Sequence, residues 1–218
     1  MPDLVYRPPA PEETDAVLAF LSRGIAGAEA YTFLRLNREK LPAGCFWCAF
    51  EHGAVHSVIY NNGDRTVTVA PGADPYPGLV LMRFAGSVPA PDGRAVPLTN
   101  ADVPEVYRAV SERESLSPDD EIRCADRMRA MRDGLALGFG VKENGRLLSF
   151  AFITACNETG ALLGDVYTRP AYRGRGYAAA CVRACVAAAG RETYLLCEEE
   201  MTGFYGKLGF VEVGGRLG

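Results

Sequence analysis

Short apolar runs separated by polar turns fill the second half of the chain and predict strands interrupted by helices. The predicted strands are 96–98, 139–142, 147–154, 161–168, 193–197 and 210–213. The predicted helices are 102–113, one that begins at Pro118 with Ser117 as N-cap, 177–189 and 202–208. The Asn144-Gly145 pair favours a tight hairpin, so we expect an antiparallel pair followed by a parallel continuation.

The first half of the chain shows a similar succession of helical and strand patterns, at 12–21, 28–36, 46–51 and 54–60. The segments FEHGAVHSVIY and VKENGRLLSFAFI both place a polar-glycine turn between two apolar strands, which indicates two related α/β units. Pro89, Pro91 and Gly93 punctuate the chain near 86–92. We therefore expect a mixed α/β fold with an N-terminal domain at 1–90 and a C-terminal domain at 94–218.

Composition and charge narrow the classes of function. The 218 residues are 48% hydrophobic, which is enough for a sizeable core, and the net charge of −4 argues against a nucleic-acid binder that would need a basic surface. The best apolar stretch, 79–84, is too short to cross a bilayer, and the first residues lack the pattern of a secretory signal. We expect a cytoplasmic protein that binds neither nucleic acid nor membrane. Because the chain is acidic overall, any anionic ligand would have to bind at a local positively charged site.

The seven cysteines do not suggest a disulfide framework. Cys45 and Cys48 have CxxC spacing, but no second pair follows and the segment enters a strand, so we interpret both as core residues. Cys181 and Cys185 share one face of a predicted helix, where small side chains allow close packing on a sheet. With two histidines in the chain, we expect no metal site.

The segment DVYTRPAYRGRGYAAACVRACVAAAG joins an apolar strand to a helix through a glycine-rich turn. Glycine lets the backbone approach a ligand closely, and the first amides of a helix have no partner within it. Those amides also lie at the positive end of the helix dipole, so the turn favours a diphosphate. Arg173 and Arg175 add the local positive charge that an acidic chain otherwise lacks.

Two other phosphate-binding patterns do not fit this turn, because it contains neither GxxxxGK[ST] nor GxGxxG. A plain strand-to-helix turn with exposed arginines remains the alternative reading of this stretch alone.

The turn resembles the signature of the GNAT N-acetyltransferases, [RQ]-x-x-G-x-[GA]. Its six positions are Arg173, Gly174, Arg175, Gly176, Tyr177 and Ala178. The preceding VYTRPAY is similar to the family's bulged strand and its proline-containing end. The resemblance implies that backbone groups of Val166 and Thr168 pair with the pantetheine arm of acetyl-CoA, and that the amides of residues 173–178 hold its pyrophosphate.

A second feature, FYGKLGF at 204–210, resembles a common ending of the same family. Its other reading is an amphipathic helix turn with Leu208 and Phe210 in the core and Gly209 as C-cap. The resemblance implies that Tyr205 lies beside the thioester sulfur and protonates the leaving thiolate.

The general base is less well marked. Candidates are Glu198, which we favour, Glu199, Asp165 and Glu121, although a run of acidic residues is commonly a solvated surface. Glu198 and Thr202 stand where many members of the family carry asparagines that contact the cofactor, so this sequence departs from the family there.

The resemblance implies a GNAT fold with a mixed central sheet flanked by helices, an additional degenerate GNAT-like unit at the N-terminus, and direct transfer of acetyl from acetyl-CoA to a primary amine. The acceptor would be a small molecule or a peptide, and the first half of the chain would shape its pocket. A homodimer remains open. The alternatives are a CoA-binding regulatory or scaffold module without catalysis, and a nucleotide-binding protein that uses the same turn.

Overall fold

The computed structural model describes residues 4–61, 65–88, 90, 93–113 and 115–213. The chain divides into two compact units. The first extends to Leu79 and includes Cys156–Gly160, and the second contains Val80–Ala155 and Ala161–Val213. The boundary expected near 86–92 thus differs from the observed division, and Pro89, Pro91 and Asp92 lie outside the described residues.

The first unit is a small helix-and-sheet body. Its elements are α1 (Thr14–Leu21), α2 (Ala28–Leu36), β1 (Phe46–Glu51), β2 (Ala54–Asn61) and β3 (Thr66–Val69). The three strands form an antiparallel sheet in the order β1-β2-β3. His52 and Gly53 both have positive φ, as a tight hairpin turn requires. Leu21, Leu34 and Phe46 are almost fully buried and anchor the core of this unit.

The segment Cys156–Gly160, which comes later in the chain but belongs to the first unit, is held by polar contacts. The side-chain amide of Asn157 donates to the carbonyl oxygens of Leu21, at 3.0 Å, and Gly24, at 2.8 Å. The hydroxyl of Thr32 donates to the carbonyl oxygen of Cys156 at 3.1 Å. These buried groups are therefore satisfied without water.

The second unit is built on a seven-stranded sheet. Its elements in chain order are β4 (Val80–Phe84), β5 (Val96–Pro97), α3 (Val103–Ser111), α4 (Pro118–Arg132), β6 (Leu137–Glu143), β7 (Arg146–Cys156), β8 (Ala161–Thr168), α5 (Tyr177–Ala189), β9 (Thr193–Cys197), α6 (Thr202–Gly206) and β10 (Phe210–Glu212). The strand order is β10-β4-β9-β8-β7-β6-β5. The β6–β7 hairpin is antiparallel and β8 pairs with β9 in parallel, as predicted. The expectation of a mixed sheet flanked by helices is confirmed.

The helices cover the sheet of the second unit. Leu98, Val106 and Phe150 belong to a buried cluster that joins α3 to the sheet. On α5, Cys181 and Cys185 are fully buried, and the Cys185 thiol donates to the carbonyl oxygen of Ala151 at 3.2 Å. The prediction that these two cysteines pack on the sheet is confirmed, and every cysteine in the chain is a free thiol.

The strands β3 and β4 were not predicted from the sequence. Four of the five residues of β4 are apolar, and its segment was weighed only as a possible membrane span, because a run that short has no diagnostic period. In the structure β4 lies between β9 and β10 and is antiparallel to both. Its partners follow far later in the chain, so no local pattern could reveal the pairing.

Within the described ranges, no helix combines the length and the apolar character needed to cross a bilayer.

The position of β4 predicts how truncation affects stability. A chain that begins at residue 94 lacks β4, so β9 loses one neighbour and β10 loses the strand on which it pairs. Burial of Leu81 and Met82 is worth about 3–6 kcal/mol, a large share of the 5–15 kcal/mol that a domain has. We expect this truncated chain to be largely unfolded by circular dichroism.

A chain that begins at residue 78 is the matched control, because it lacks the same N-terminal unit and retains β4. Equal melting temperatures for the two truncated chains would contradict this assignment of β4.

Candidate functional site

A glycine-rich turn connects β8 to α5. It passes through the 3-10 turn Pro170–Tyr172 and enters α5 at Tyr177. Gly174 and Gly176 have φ of 77° and 78°, a left-handed conformation that costs a residue with a Cβ about 1–2 kcal/mol. Gly176 occupies the N-cap position of α5 and has no side chain with which to cap it. The turn therefore leaves the start of α5 open.

The amides at the start of α5 form a surface suited to an anion. The amide of Arg173 donates within the turn, to the carbonyl oxygen of Pro170 at 3.2 Å. In the described part of the chain, the amides of residues 174–179 form no hydrogen bond. They lie at the positive end of a 13-residue helix, where the dipole is equivalent to about half an elementary charge. A ligand with several anionic oxygens could satisfy them together.

Three guanidinium groups surround this turn. Arg173 Nε donates to the carbonyl oxygen of Thr168 at 3.2 Å, and the guanidinium of Arg175 lies 5.1 Å from the centre of the Tyr172 ring. Arg94 Nη1 donates to the carbonyl oxygen of Arg175 at 3.2 Å. Arg94 was not predicted as a site residue, because it stands in the stretch that connects β4 to β5 and belongs to no motif.

The strands β8 and β9 separate before the turn. Their parallel register extends from the pair Ala161 and Thr193 to the pair Leu163 and Leu195, and within the described residues it goes no further. The later part of β8 therefore has an edge that β9 does not pair. Val166 lies on this part of the strand, where backbone groups are available to an extended ligand.

Ser149 fixes the other edge of β8 at its end. Its hydroxyl donates to the carbonyl oxygen of Tyr167 at 2.8 Å and also lies 2.8 Å from the hydroxyl of Thr168. Arg173 Nε donates to the carbonyl oxygen of Thr168. Of the two strand residues predicted to meet pantetheine, Thr168 thus already has both its carbonyl and its hydroxyl engaged.

A polar cluster lies at a distortion in the middle of β8. Asp165 has a φ of 48°, in the left-handed region, and its carboxylate forms an ion pair with Arg127 of α4. Burial disfavours the charge on Arg127, but Asp165 and Tyr107 outweigh this and the pKa of the guanidinium is raised. The Cζ atom of Arg127 lies 4.9 Å from the centre of the Phe152 ring. Asp165 is thus held by a cation, which makes it a poor candidate for the general base.

The predicted proton donor lies next to the end of β9. Tyr205 is buried, and its ring meets those of Phe204 and Phe210 edge-on at 5.0 and 5.9 Å. Burial, together with nearby Cys197, raises the pKa of Tyr205 to about 12. The phenol is therefore protonated at neutral pH.

The predicted bases occupy different places. Glu198 follows β9 directly and is exposed. Burial raises the pKa of the Cys197 thiol, and the charges of Glu212 and Glu198 raise it further. Glu198 and Tyr205 both interact electrostatically with Cys197, so the structure brings them to one end of β9. Glu199 begins a 3-10 turn, and Glu121 is exposed in the first turn of α4. Among the described side chains, no cluster of three or more His, Cys, Asp or Glu residues could hold a metal ion.

The fold over the whole chain is similar to solved structures of GNAT proteins. A tandem GNAT protein from the clavulanic acid biosynthesis pathway is 15% identical, with 96% of this chain and 95% of that chain covered and a TM-score of 0.58. A GCN5-related N-acetyltransferase from Sphaerobacter thermophilus is also 15% identical, with 98% and 94% covered and a TM-score of 0.57. The tandem protein matches the presence of an additional N-terminal unit.

A protein of the GNAT family from Novosphingobium aromaticivorans is 29% identical, with 65% of each chain covered and a TM-score of 0.49. The match thus spans just under two thirds of that protein. No curated protein sequence matches this chain.

The sequence model of the acetyltransferase (GNAT) family matches residues 103–210. This segment begins at α3 and ends at the first residue of β10, so it includes the glycine-rich turn, the separated strands and Tyr205. Through residues 103–210, the chain belongs to the GNAT family of acetyltransferases.

Proposed function

We propose that this protein transfers the acetyl group of acetyl-CoA to a primary amine. The observation that carries the proposal is the row of amides at residues 174–179, which have no partner in the described chain and follow the part of β8 that β9 does not pair. A linear ligand with a diphosphate at one end of an amide-bearing arm is complementary to this arrangement. The family assignment supports acyl transfer as the chemistry.

The backbone does most of the binding. The amides of residues 174–178 hold the diphosphate, with the guanidinium groups of Arg173, Arg175 and Arg94 adding positive charge. The unpaired edge of β8 at Val166 meets the pantetheine arm. Arg173 engages the carbonyl oxygen of Thr168, so the contribution of Thr168 is to position the turn or to exchange that hydrogen bond for one with the ligand.

Acetyl-CoA supplies an activated thioester, and the remaining requirement is a neutral amine. A lysine-type amine with a pKa of about 10.4 is mostly protonated at neutral pH, whereas an α-amine at about 7.7–8.0 is partly neutral. Glu198 is exposed at the end of β9 and can accept the proton, directly or through a water. Asp165 is less suited because Arg127 holds its carboxylate.

Tyr205 provides the matching acid. A phenol with a pKa of about 12 remains protonated throughout the range in which amines become neutral. It can therefore donate a proton to the departing sulfur without first having to acquire one. No cysteine is assigned a covalent role, because burial raises the pKa of the Cys197 thiol and leaves it protonated.

The direct test is release of free thiol from acetyl-CoA with a panel of amines that includes polyamines, amino acids, aminoglycosides and peptide N-termini. We expect at least one amine to drive release and to appear acetylated by mass spectrometry. CoA binding by calorimetry without release for any amine would favour the non-catalytic CoA-binding module, and absence of CoA binding would refute the proposed site.

Gly176→Val tests the amide surface. A branched side chain at a φ of 78° strains the turn, and its Cβ would lie 3.6 Å from Arg94 Nη1. We expect the affinity for CoA to fall at least ten-fold in calorimetry. Gly190→Val is the matched control, since Gly190 has a φ of 64° at the other end of α5 and open space around it. Equal losses of CoA affinity in both variants would indicate a general loss of stability.

Tyr205→Phe tests the proton donor. The variant retains the aromatic contacts with Phe204 and Phe210, so we expect an unchanged melting temperature and an unchanged KM for acetyl-CoA. We expect kcat to fall by roughly 10²-fold, within the range for loss of a general acid. Because the Tyr205 pKa is about 12, the phenol does not lose its proton between pH 7 and 10. The wild type and the variant should therefore show the same shape of pH–rate profile over this range. An unchanged kcat would remove Tyr205 from the mechanism.

Glu198→Gln tests the base. We expect kcat to fall at least ten-fold at pH 7 and to recover as the pH is raised, because a neutral amine then forms without help. Glu200→Gln removes the same charge from the same exposed run and should be neutral. If the two variants behave alike, the base lies elsewhere.

A further inference from the structure

A cavity of about 760 Å³ opens beside the glycine-rich turn of the second unit. One wall is the 3-10 turn Pro170–Tyr172, and another is formed by α3 and the two residues that follow it. Arg146, the first residue of β7, also lines it. None of the residues assigned above to acetyl-CoA or to catalysis is among the residues that line this cavity.

The cavity is positively charged within an acidic protein. Its charged lining consists of Arg108, Arg113, Arg146, Arg169, Glu105 and Glu112. Four arginines against two glutamates leave two net positive charges, whereas the chain as a whole carries −4. The C-terminal end of α3 contributes about half a negative charge, which reduces this excess without cancelling it.

The six charged groups are unequally engaged. Arg169 is mostly buried; its Nε donates to the carbonyl oxygen of Leu147 at 2.7 Å and its Nη2 to Glu105 at 2.8 Å. These contacts hold Arg169 in place as part of the cavity wall. Arg108 donates through Nε to the carbonyl oxygen of Pro104 at 3.3 Å, and its Nη1 lies 3.9 Å from the same glutamate.

The side chains of Arg113 and Arg146 are exposed, and among the described residues neither guanidinium forms a hydrogen bond or an ion pair, although Arg113 interacts electrostatically with Asp120. Their guanidinium groups are therefore available to a ligand in the cavity.

We propose that this cavity binds a phosphate group through Arg108, Arg113 and Arg146. A phosphate monoester carries about −1.5 to −2 charges near pH 7, which matches the excess charge of the lining. Guanidinium groups present paired N–H donors that fit phosphate oxygens bidentately. The Pro170–Tyr172 wall leads directly into the diphosphate turn. The phosphate therefore belongs either to the 3′ position of the same CoA molecule, in which case the inference rests on the proposed function, or to a separate phosphorylated compound.

The test measures binding of three probes at constant ionic strength: CoA, dephospho-CoA and inorganic phosphate, by calorimetry or by shifts in melting temperature. The proteins are the wild type, Arg146→Gln, Arg113→Gln and the double variant. Arg132→Gln is the control, since Arg132 is an exposed arginine on α4 outside the cavity. Each cavity substitution should weaken phosphate binding about five-fold or more, and the double variant further, because exposed charges are partly screened.

If the phosphate is the 3′ group of CoA, the cavity variants lose affinity for CoA and retain that for dephospho-CoA. If it belongs to a separate compound, both forms of CoA bind as before and only inorganic phosphate loses affinity. Equal binding of all three probes by the cavity variants and by Arg132→Gln would overturn the inference. Failure of the wild type to bind CoA would refute the proposed function alone, because the inorganic phosphate series still decides the question of the cavity.

Discussion

The start of α5 is the point on which the site depends. A helix leaves its first amides without internal partners, and most helices satisfy them with a capping side chain or with water. Here the cap is Gly176, which has no side chain and adopts a left-handed backbone. The residue that turns the chain into the helix is thus also the residue that leaves the helix uncapped, so one local constraint sets the geometry of the turn and leaves its amides unpaired.

The rest of the site follows from how the sheet separates. After Leu163 and Leu195 the strands β8 and β9 no longer pair, and β9 instead pairs along its other edge with β4. A ligand arm can then pair with β8 without breaking the ladder. Polar contacts at the end of β8, from Ser149 and Arg173, fix the strand where it enters the turn. In the proposed site, binding would rely mainly on backbone groups, which is consistent with a sequence signal confined to glycines, a proline and arginines.

Much of this was predictable from the sequence because the determining patterns are local. The bounds of β8, α5 and β9 were predicted to the residue, since each is a mostly apolar or alanine-rich run that ends at a glycine or polar turn. The glycine-rich turn before α5 and the short helix that carries Tyr205 could be placed because they belong to contiguous motifs, and the roles of their residues stay predictions. Arg94 and Arg127 could not, because each acts on a residue distant in sequence and neither stands in a motif. The ion pair with Arg127 makes Asp165 a poorer candidate for the general base. This pair can be seen only in the folded structure, because the two residues are far apart in the sequence. β4 was missed for the same reason, since its role is set by partners far along the chain.

The central place of β4 has a consequence for biosynthesis. A ribosome makes β4 before any other strand of its sheet, whereas its neighbours β9 and β10 follow all the other strands of that sheet. During that interval a short apolar strand has both edges unpaired, the state in which nascent chains associate wrongly. Such long-range closure also gives the sheet a high contact order, which slows folding. The strand order of this sheet therefore delays its completion until β10, which ends at Glu212, has been made.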